Sequence, residues 1–413
     1  MNIGDCMIYD VIIIGAGAAG IFAAANLLSD RKVLILEKND RPGIKLLMTG
    51  SGQCNITNIE SIKTFTKRYN NPGVARKVLF SFNNRMLMDY FEGLGLKLIV
   101  REDGKVFPQS LKSKDILDVL MREICSSKHQ LNCNESVTDI KWQESIGLFS
   151  VVTGQRKYTS KKVMVATGGQ SYPKSGSDGS FLDILAKIGV KMNSFKPALT
   201  SVKVVQYRFK NLSGVAIPSV RLSIERDSKA VVKTKGDLLF THDSLSGPVI
   251  LNSSRHIRVD DKMIFDFIPQ FDENRLLEEM MHQISSNPRK EIKTIFEDSI
   301  ILPKRLVESL LDITAIDRRK KASEVSKKNI QRFIGNCKHY EVTVMYKQGF
   351  ENAMVSAGGV SSEEIDFDNM TWLRNRNMIF IGEVIDIDGE TGGYNLQFAF
   401  SSAKKAVLGL LFD

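Results

Sequence analysis

Apolar positions follow two rhythms along this chain, and the change of rhythm divides it. Residues 11–14 are an unbroken run of β-branched side chains, the pattern of a parallel strand covered on both faces. An alanine-rich stretch at 21–28 reads as a helix, and 32–36 as a second buried strand. Short continuous runs return at 163–166, within the strand expected from 161, and at 378–381, each soon followed by glycine. "SKDILDVLMREICSS" (113–127) has helical spacing within this first region. Past Pro197 the rhythm changes. The segments 201–209, 219–226 and 229–240 alternate apolar and polar residues, as antiparallel strands with one wet face do. Helical spacing follows at 274–285, 288–300 and 304–314. "YEVTVMY" (340–346) is expected to re-enter the first region. The pattern predicts an α/β protein in three stretches: a nucleotide domain over 1–192, an inserted β-rich then helical substrate domain over 193–340, and the rest of the nucleotide domain over 341–413.

The turn after the first strand carries chemistry. Gly15, Gly17 and Gly20 form G-x-G-x-x-G between a strand and a helix, and Glu37 closes the next strand. The first glycine suits the tight turn, the second a close approach to a pyrophosphate, the third helix–strand packing. The helix start, Ala18 and Ala19 included, offers N–H groups and partial positive charge to phosphates. Glu37 is placed to accept from ribose hydroxyls and to disfavour a 2′-phosphate. The context around the glycines makes this a dinucleotide site.

Composition adds bounds. With 413 residues, 43% hydrophobic and 25% charged, the chain is long enough for two or three domains. Its five cysteines (Cys6, Cys54, Cys125, Cys133, Cys337) form no C-x-x-C pair, which argues against a disulfide framework or a zinc cluster and fits a reducing, cytoplasmic location. The apolar run 11–28 follows Asp5 and Asp10 and is broken by glycines, so neither a signal peptide nor a membrane span is expected. Net charge is +10. Part of that excess is concentrated in Arg318, Arg319, Lys320, Lys321, Lys327 and Lys328, either a solvated helical face or a contact for ribosomal RNA.

"ATGGQS" and "IGE", each following a buried strand, resemble the second and third segments of the two-part FAD domains of glutathione-reductase-like flavoproteins. The resemblance then becomes specific. "SGQCNITN" (51–58), "ATGGQSYPKSGSDG" (166–179), "LLFTHDSLSGP" (238–248) and "GEVIDIDGETGGYNLQFAFSS" (382–402), together with the glycine fingerprint, are similar to one bacterial flavoprotein family. Its members carry names such as aminoacetone oxidase-like, bile-acid-inducible flavoprotein-like and, for some, ribosomal RNA dihydrouridine synthase. The fold implied is a Rossmann-like two-part FAD-binding domain with an inserted antiparallel β plus helical region.

The resemblance also implies a contact set for FAD: Gly15, Gly17, Ala18, Ala19, Gly20, Glu37, Lys38 and Lys45 from the first part. Gly50, Ser51, Gly52, Cys54, Asn55 and Thr57 follow in the polar loop, then Ala166, Thr167, Gly168 and Gly169. Gly382, Glu383, Gly392, Gly393, Tyr394 and Asn395 complete it at the C-terminus. Ser51 and Gln53 depart from the family's usual Gly and Arg, and Gln53 removes a charge there. Cys54 reads either as an acid that protonates a substrate carbon or as a small buried packing residue. His242 reads as a proton-transfer or anion-binding group, or as a structural one. Only one full dinucleotide fingerprint is present, so NAD(P)H is expected as a transient reductant in the same cleft. The function expected is an FAD-dependent oxidoreductase that reduces uridine in large-subunit ribosomal RNA. The alternatives are an oxidoreductase of an amine or cyclic enone, and an FAD-loaded binding protein.

Overall fold

The strand Ile8–Ile14 runs parallel to Val33–Leu36 on one side and to Lys157–Val165 on the other. Asn375–Phe380 extends the parallel set beyond Lys157–Val165, and Gln130–Asn132 extends it beyond Val33–Leu36. Val11, Ile12 and Ile13 have no exposed surface, as a strand covered on both faces requires. The computed structural model describes residues 7–411, and Cys6 lies outside them. Among the described residues this sheet has nine strands, with antiparallel additions at Thr371–Trp372 and Ile365–Asp366 and a hairpin of Val137–Gln143 with Leu148–Thr153. The helix Ala18–Asn26 begins before the expected position 21, so Gly20 lies inside it. It packs on the last helix, Tyr394–Leu410, with the rings of Phe22 and Phe400 4.8 Å apart.

The chain divides into two units: Ala198–Asn352, and the residues on either side of it. In the nucleotide unit, Met192–Ala198 and Val355–Val360 pair with each other, so the chain leaves and resumes this unit on neighbouring strands. The other unit contains a closed antiparallel barrel, in the order Val202–Val204, Leu245–Ser246, Lys229–Phe240, Ala216–Arg226, Lys262–Asp266 and Tyr340–Lys347. Alternation produces its core: Ile217, Val220, Leu222 and Ile224 are buried from one strand. Helices Glu273–Ser286, Ile292–Ser299, Lys304–Thr314 and Lys327–Lys338 add to that core, with the Phe296 and Phe333 rings stacked at 4.2 Å. Gln348 N donates to Ser201 O at 3.0 Å, so the chain enters and leaves this unit side by side.

Both boundaries of the insertion differ from the sequence reading: it begins at Ala198 and not at 193, because Met192–Ala198 pairs with Val355–Val360, and its end lies later as well. Tyr340–Lys347 does not return to the nucleotide domain; it closes the barrel between Lys262–Asp266 and Val202–Val204. Its alternation announces a strand with one wet face and leaves the choice of sheet open. The nucleotide unit resumes only at Ala353. Among the described residues no helix is long and apolar enough to cross a membrane.

Candidate functional site

Open parallel sheets bind ligands beyond the carboxyl ends of their strands. Here Ile14, Leu36, Glu37, Ala166 and Glu383, all at or just past such ends, line one cleft within the nucleotide unit. The glycine turn forms part of its wall. Gly15 has φ +101°, and a Cβ there would lie 2.6 Å from Ala166 O. At Gly20 a Cβ would meet Gly15 O at 2.0 Å, which is how tightly helix and strand approach. At Gly17 a Cβ would meet nothing within 4 Å, because that side faces the cleft. No side chain caps this helix, so its first-turn N–H groups remain available to an anion. Ala18, Ala19 and Lys38 are also on the wall, with Lys38 paired to Asp178 at 2.8 Å.

Glu37 is buried and fixed. Its Oε2 accepts from Ala16 N at 2.8 Å, and its Oε1 from Asn39 N at 2.9 Å and Asn39 Nδ2 at 2.7 Å. A carboxylate has about four acceptor positions, so one remains for a hydroxyl of a bound ribose. Glu135 stands beside it, its N–H donating to Glu37 O at 2.8 Å. Glu135 Oε2 is buried without a hydrogen-bond partner on the same cleft wall. Sequence reasoning missed this residue, although it closely follows the fifth parallel strand, Gln130–Asn132, where the strand-end rule would have pointed.

Lys45 and Glu383 meet across the cleft wall. Nζ lies 2.7 Å from Glu383 Oε2 and 2.5 Å from Ser171 Oγ, with Ser177 Oγ at 3.3 Å. Glu383 Oε1 accepts from Ser356 N at 2.8 Å and from Ser171 Oγ at 3.1 Å. Ser356 Oγ in turn accepts from Gln170 N and Ser171 N. All three ammonium donors are used, so the pair is held rigidly. Gly169 belongs to the same device: a Cβ there would strike Ser356 Oγ at 2.6 Å and Glu383 Oε1 at 2.9 Å. Ser171, Ser177 and Ser356 carried no sequence signal beyond lying in or near the polar blocks. Thr167 and Gly168 complete this stretch of the wall.

The polar loop 49–58 continues from the cleft into the protein. Thr49 lines the cleft, and Gly50 and Ser51 are left-handed, at φ 57° and 56°. Gly50, Ser51, Gly52, Asn55 and Thr57 are not on the cleft wall, but Asn55 Oδ1 and Thr57 Oγ1 are buried acceptors without a partner. Gly393 packs directly on this loop, since a Cβ there would fall 2.7 Å from Thr57 O. Gly392 and Gly382 lie off the wall, and a Cβ on Gly382 would meet Ala19 Cβ at 2.8 Å. Tyr394 is buried and held by Tyr69, whose hydroxyl donates to Tyr394 O at 2.7 Å. Asn395 is on the cleft wall at the start of the uncapped helix Tyr394–Leu410, and its side chain pins Gly389 at both N–H and C=O.

These residues fit an FAD. The open face at Gly17 with its uncapped helix suits a diphosphate, and Glu37 with the unpartnered Oε2 of Glu135 on the same wall suits the hydroxyls of a ribose.

Two candidate catalytic residues stand elsewhere. Cys54 is fully buried, is absent from the cleft wall, and burial pushes its thiol up to about 12. That placement favours the packing reading. His242 is exposed in the barrel unit, beside Asp243, which pairs with Lys203 at 2.5 Å. At position 53, where a charge was expected to be missing, Arg101 Nη2 donates to Gln53 Oε1 at 2.7 Å. Its guanidinium lies 4.0 Å from the Phe107 ring centroid. A guanidinium is therefore present at this loop, contributed by another strand region.

Comparison with known proteins agrees with the cleft. The model for the "HI0933-like protein Rossmann domain" family matches residues 9–408. A 3-dehydro-bile acid delta(4,6)-reductase of Clostridium scindens is 29% identical over 399 residues, 94% of this chain and 96% of that one. The ribosomal RNA dihydrouridine synthase of Escherichia coli is also 29% identical, over 96% of each chain. In fold, the chain is similar to a 3-ketosteroid-delta4-(5alpha)-dehydrogenase of Rhodococcus jostii, with TM-score 0.51, 13% identity and 99% and 98% coverage. A glycine turn, a strand-end acid and a two-part parallel sheet around one cleft thus accompany a family match over nearly the whole length, and the chain belongs to the HI0933-like Rossmann family of FAD-dependent oxidoreductases.

Proposed function

We propose that this protein reduces a carbon–carbon double bond conjugated to a carbonyl, that its substrate is a uridine in ribosomal RNA, and that NAD(P)H serves as transient reductant. The activities named for two relatives matched over nearly their whole length support the reaction class. One reduces an unsaturated 3-oxo bile acid and the other makes dihydrouridine, so molecules of different shape undergo the same kind of bond change. The observation that carries the choice of RNA is a surface of exposed cations on the barrel unit, without ion pairs among the described residues, which a small neutral enone does not require.

FAD, when bound and reduced, would supply the hydride that saturates one carbon, with a proton completing the other. The chain's own contribution is binding and orientation. The first turn after Gly17 holds the diphosphate, and Glu37 fixes a ribose. The Lys45–Glu383 pair, locked by Ser171 and Ser356, keeps a rigid polar wall whose groups need no reorganisation. The uncapped start of Tyr394–Leu410 places partial positive charge at the cleft, which favours an anionic ring.

The test is dihydrouridine content, by nucleoside mass spectrometry, in ribosomal RNA from cells with and without the gene. Loss of the base, restored by the wild-type gene, is the expected result. No difference, together with NAD(P)H oxidation by a cyclic enone, would establish the small-molecule alternative. No turnover with either substrate would leave an FAD-loaded binding protein.

A further inference from the structure

The cations of the helical part of the barrel unit fall into two groups. Some are matched: Arg318 is tied to Glu308 at 3.1 Å and to Asp312, and Lys290 to Asp298 at 2.7 Å. Others are not. Arg289, Arg319, Lys320, Lys321, Lys327 and Lys328 are exposed and form no ion pair among the described residues. Two neighbouring acids are turned to the backbone, and a third, exposed Glu291, lies opposite Lys321 across an antiparallel bridge without forming an ion pair with it among the described residues. Asp317 Oδ1 accepts from Arg319 N at 3.0 Å, and Glu324 Oε2 from Lys321 N at 3.2 Å.

The fold gathers these charges. Residues 288–292 lie antiparallel to 320–323: Ile292 N donates to Lys320 O at 2.9 Å and Ala322 N to Lys290 O at 2.8 Å. That pairing places Glu291 opposite Lys321 and brings Arg289, distant in sequence, to the neighbouring 322–323 segment. The helix Lys327–Lys338 starts a few residues later, capped by Ser326, and adds Lys327 and Lys328 at its first turn. Cations at a helix N-terminus oppose the helix dipole, so their placement there is not explained by helix stability. The stretch 317–328 contains no aromatic residue to stack on a base, so its chemistry is that of phosphate contact, independent of nucleotide sequence.

We propose that this face docks the sugar–phosphate backbone of RNA. Its biological partner, ribosomal RNA, rests on the function proposed above; its chemistry rests on the unmatched cations alone. The experiment compares three full-length, FAD-loaded proteins for affinity to a labelled transcript of large-subunit ribosomal RNA across a salt series. They are the wild type, K320E/K321E/K327E/K328E, and K97E/K128E/K157E/K187E, which removes equal charge from exposed lysines of the nucleotide unit. The patch variant should bind at least about tenfold more weakly. Its slope of log affinity against log salt should shrink by about 0.7 for each single-strand phosphate that the protein no longer neutralises. Flavin content and reduction of an artificial dye should match wild type in both variants, and the corresponding Lys→Gln set replaces the patch variant if they do not. Unchanged RNA binding by the patch variant, or equal weakening by the control, would overturn the proposal. The two proposals fail separately: RNA binding abolished with the patch, but no dihydrouridine formed by wild type, keeps the surface and removes the uridine reading. Wild-type dihydrouridine formation by the patch variant does the reverse.

Discussion

Gly17 and Gly20 are three residues apart and are required for different reasons. A methyl on Gly20 would be forced to 2.0 Å from Gly15 O, so Gly20→Ala should destabilise the protein even without FAD, by roughly 1–3 kcal/mol. Gly17, at φ −82°, accommodates alanine and its methyl meets no protein atom. Gly17→Ala should therefore leave the melting temperature of the FAD-free protein nearly unchanged and weaken FAD binding about tenfold or more. Equal FAD affinity for Gly17→Ala and wild type would remove the diphosphate from this turn. Lys45 and Glu383, with side chains 22% and 21% exposed, form a second testable unit. Lys45→Met, Glu383→Gln and the double variant should show coupling of about 1–3 kcal/mol in FAD dissociation, whereas additive losses would mean the two residues act apart. His129 bears on pH. Burial lowers its pKa below the ordinary 6.5, so the unfolded chain binds a proton that the folded one resists. Stability is then fully present above about 6.5 and declines as pH falls through that value. His129→Gln should flatten the drop in melting temperature between about pH 7.5 and about pH 5.5; an unaltered drop would assign acid sensitivity to other groups.

At the scale of elements, apolar runs made four of the parallel strands legible in the sequence, and the glycine spacing fixed the turn after the first; Gln130–Asn132, with one apolar residue, gave no such signal. Both signals are local, since each needs only a strand, a turn and the residue that follows. Alternation likewise revealed the antiparallel character of the insertion. It did not reveal partners. Tyr340–Lys347 has the pattern of a half-buried strand, and only the barrel decides that it lies beside Lys262–Asp266. Nor could local pattern foresee that Lys45 meets Glu383, 338 positions later, or that Ser356 closes the same network. The barrel strand gives a direct test. A fragment spanning 198–352 should melt cooperatively, whereas one ending at 339 should not, because two strands then lose their shared neighbour. Cooperative melting of the shorter fragment would return Tyr340–Lys347 to the nucleotide unit.

For the molecule as a whole, every residue that lines the cleft belongs to the nucleotide unit, on either side of the insertion. Joining Pro197 to Ala353 through a short Gly-Ser linker, across the paired strands Met192–Ala198 and Val355–Val360, should thus yield a protein that still retains FAD. Absence of flavin absorbance from that shortened protein, if it is folded, would show that the barrel unit contributes to cofactor binding. The side-by-side entry and exit also bear on how the chain assembles. Lys157–Val165 and Asn375–Phe380 pair in parallel, although about 210 residues separate Val165 from Asn375, a long loop to close at once. Once the barrel has formed, with Gln348 bonded to Ser201, the effective loop shrinks to about 63 residues and closure costs about 1 kcal/mol less. The barrel then acts as a kinetic clasp: variants that slow its formation should delay completion of the distant sheet, and with it the moment at which the newly made chain first takes up its flavin.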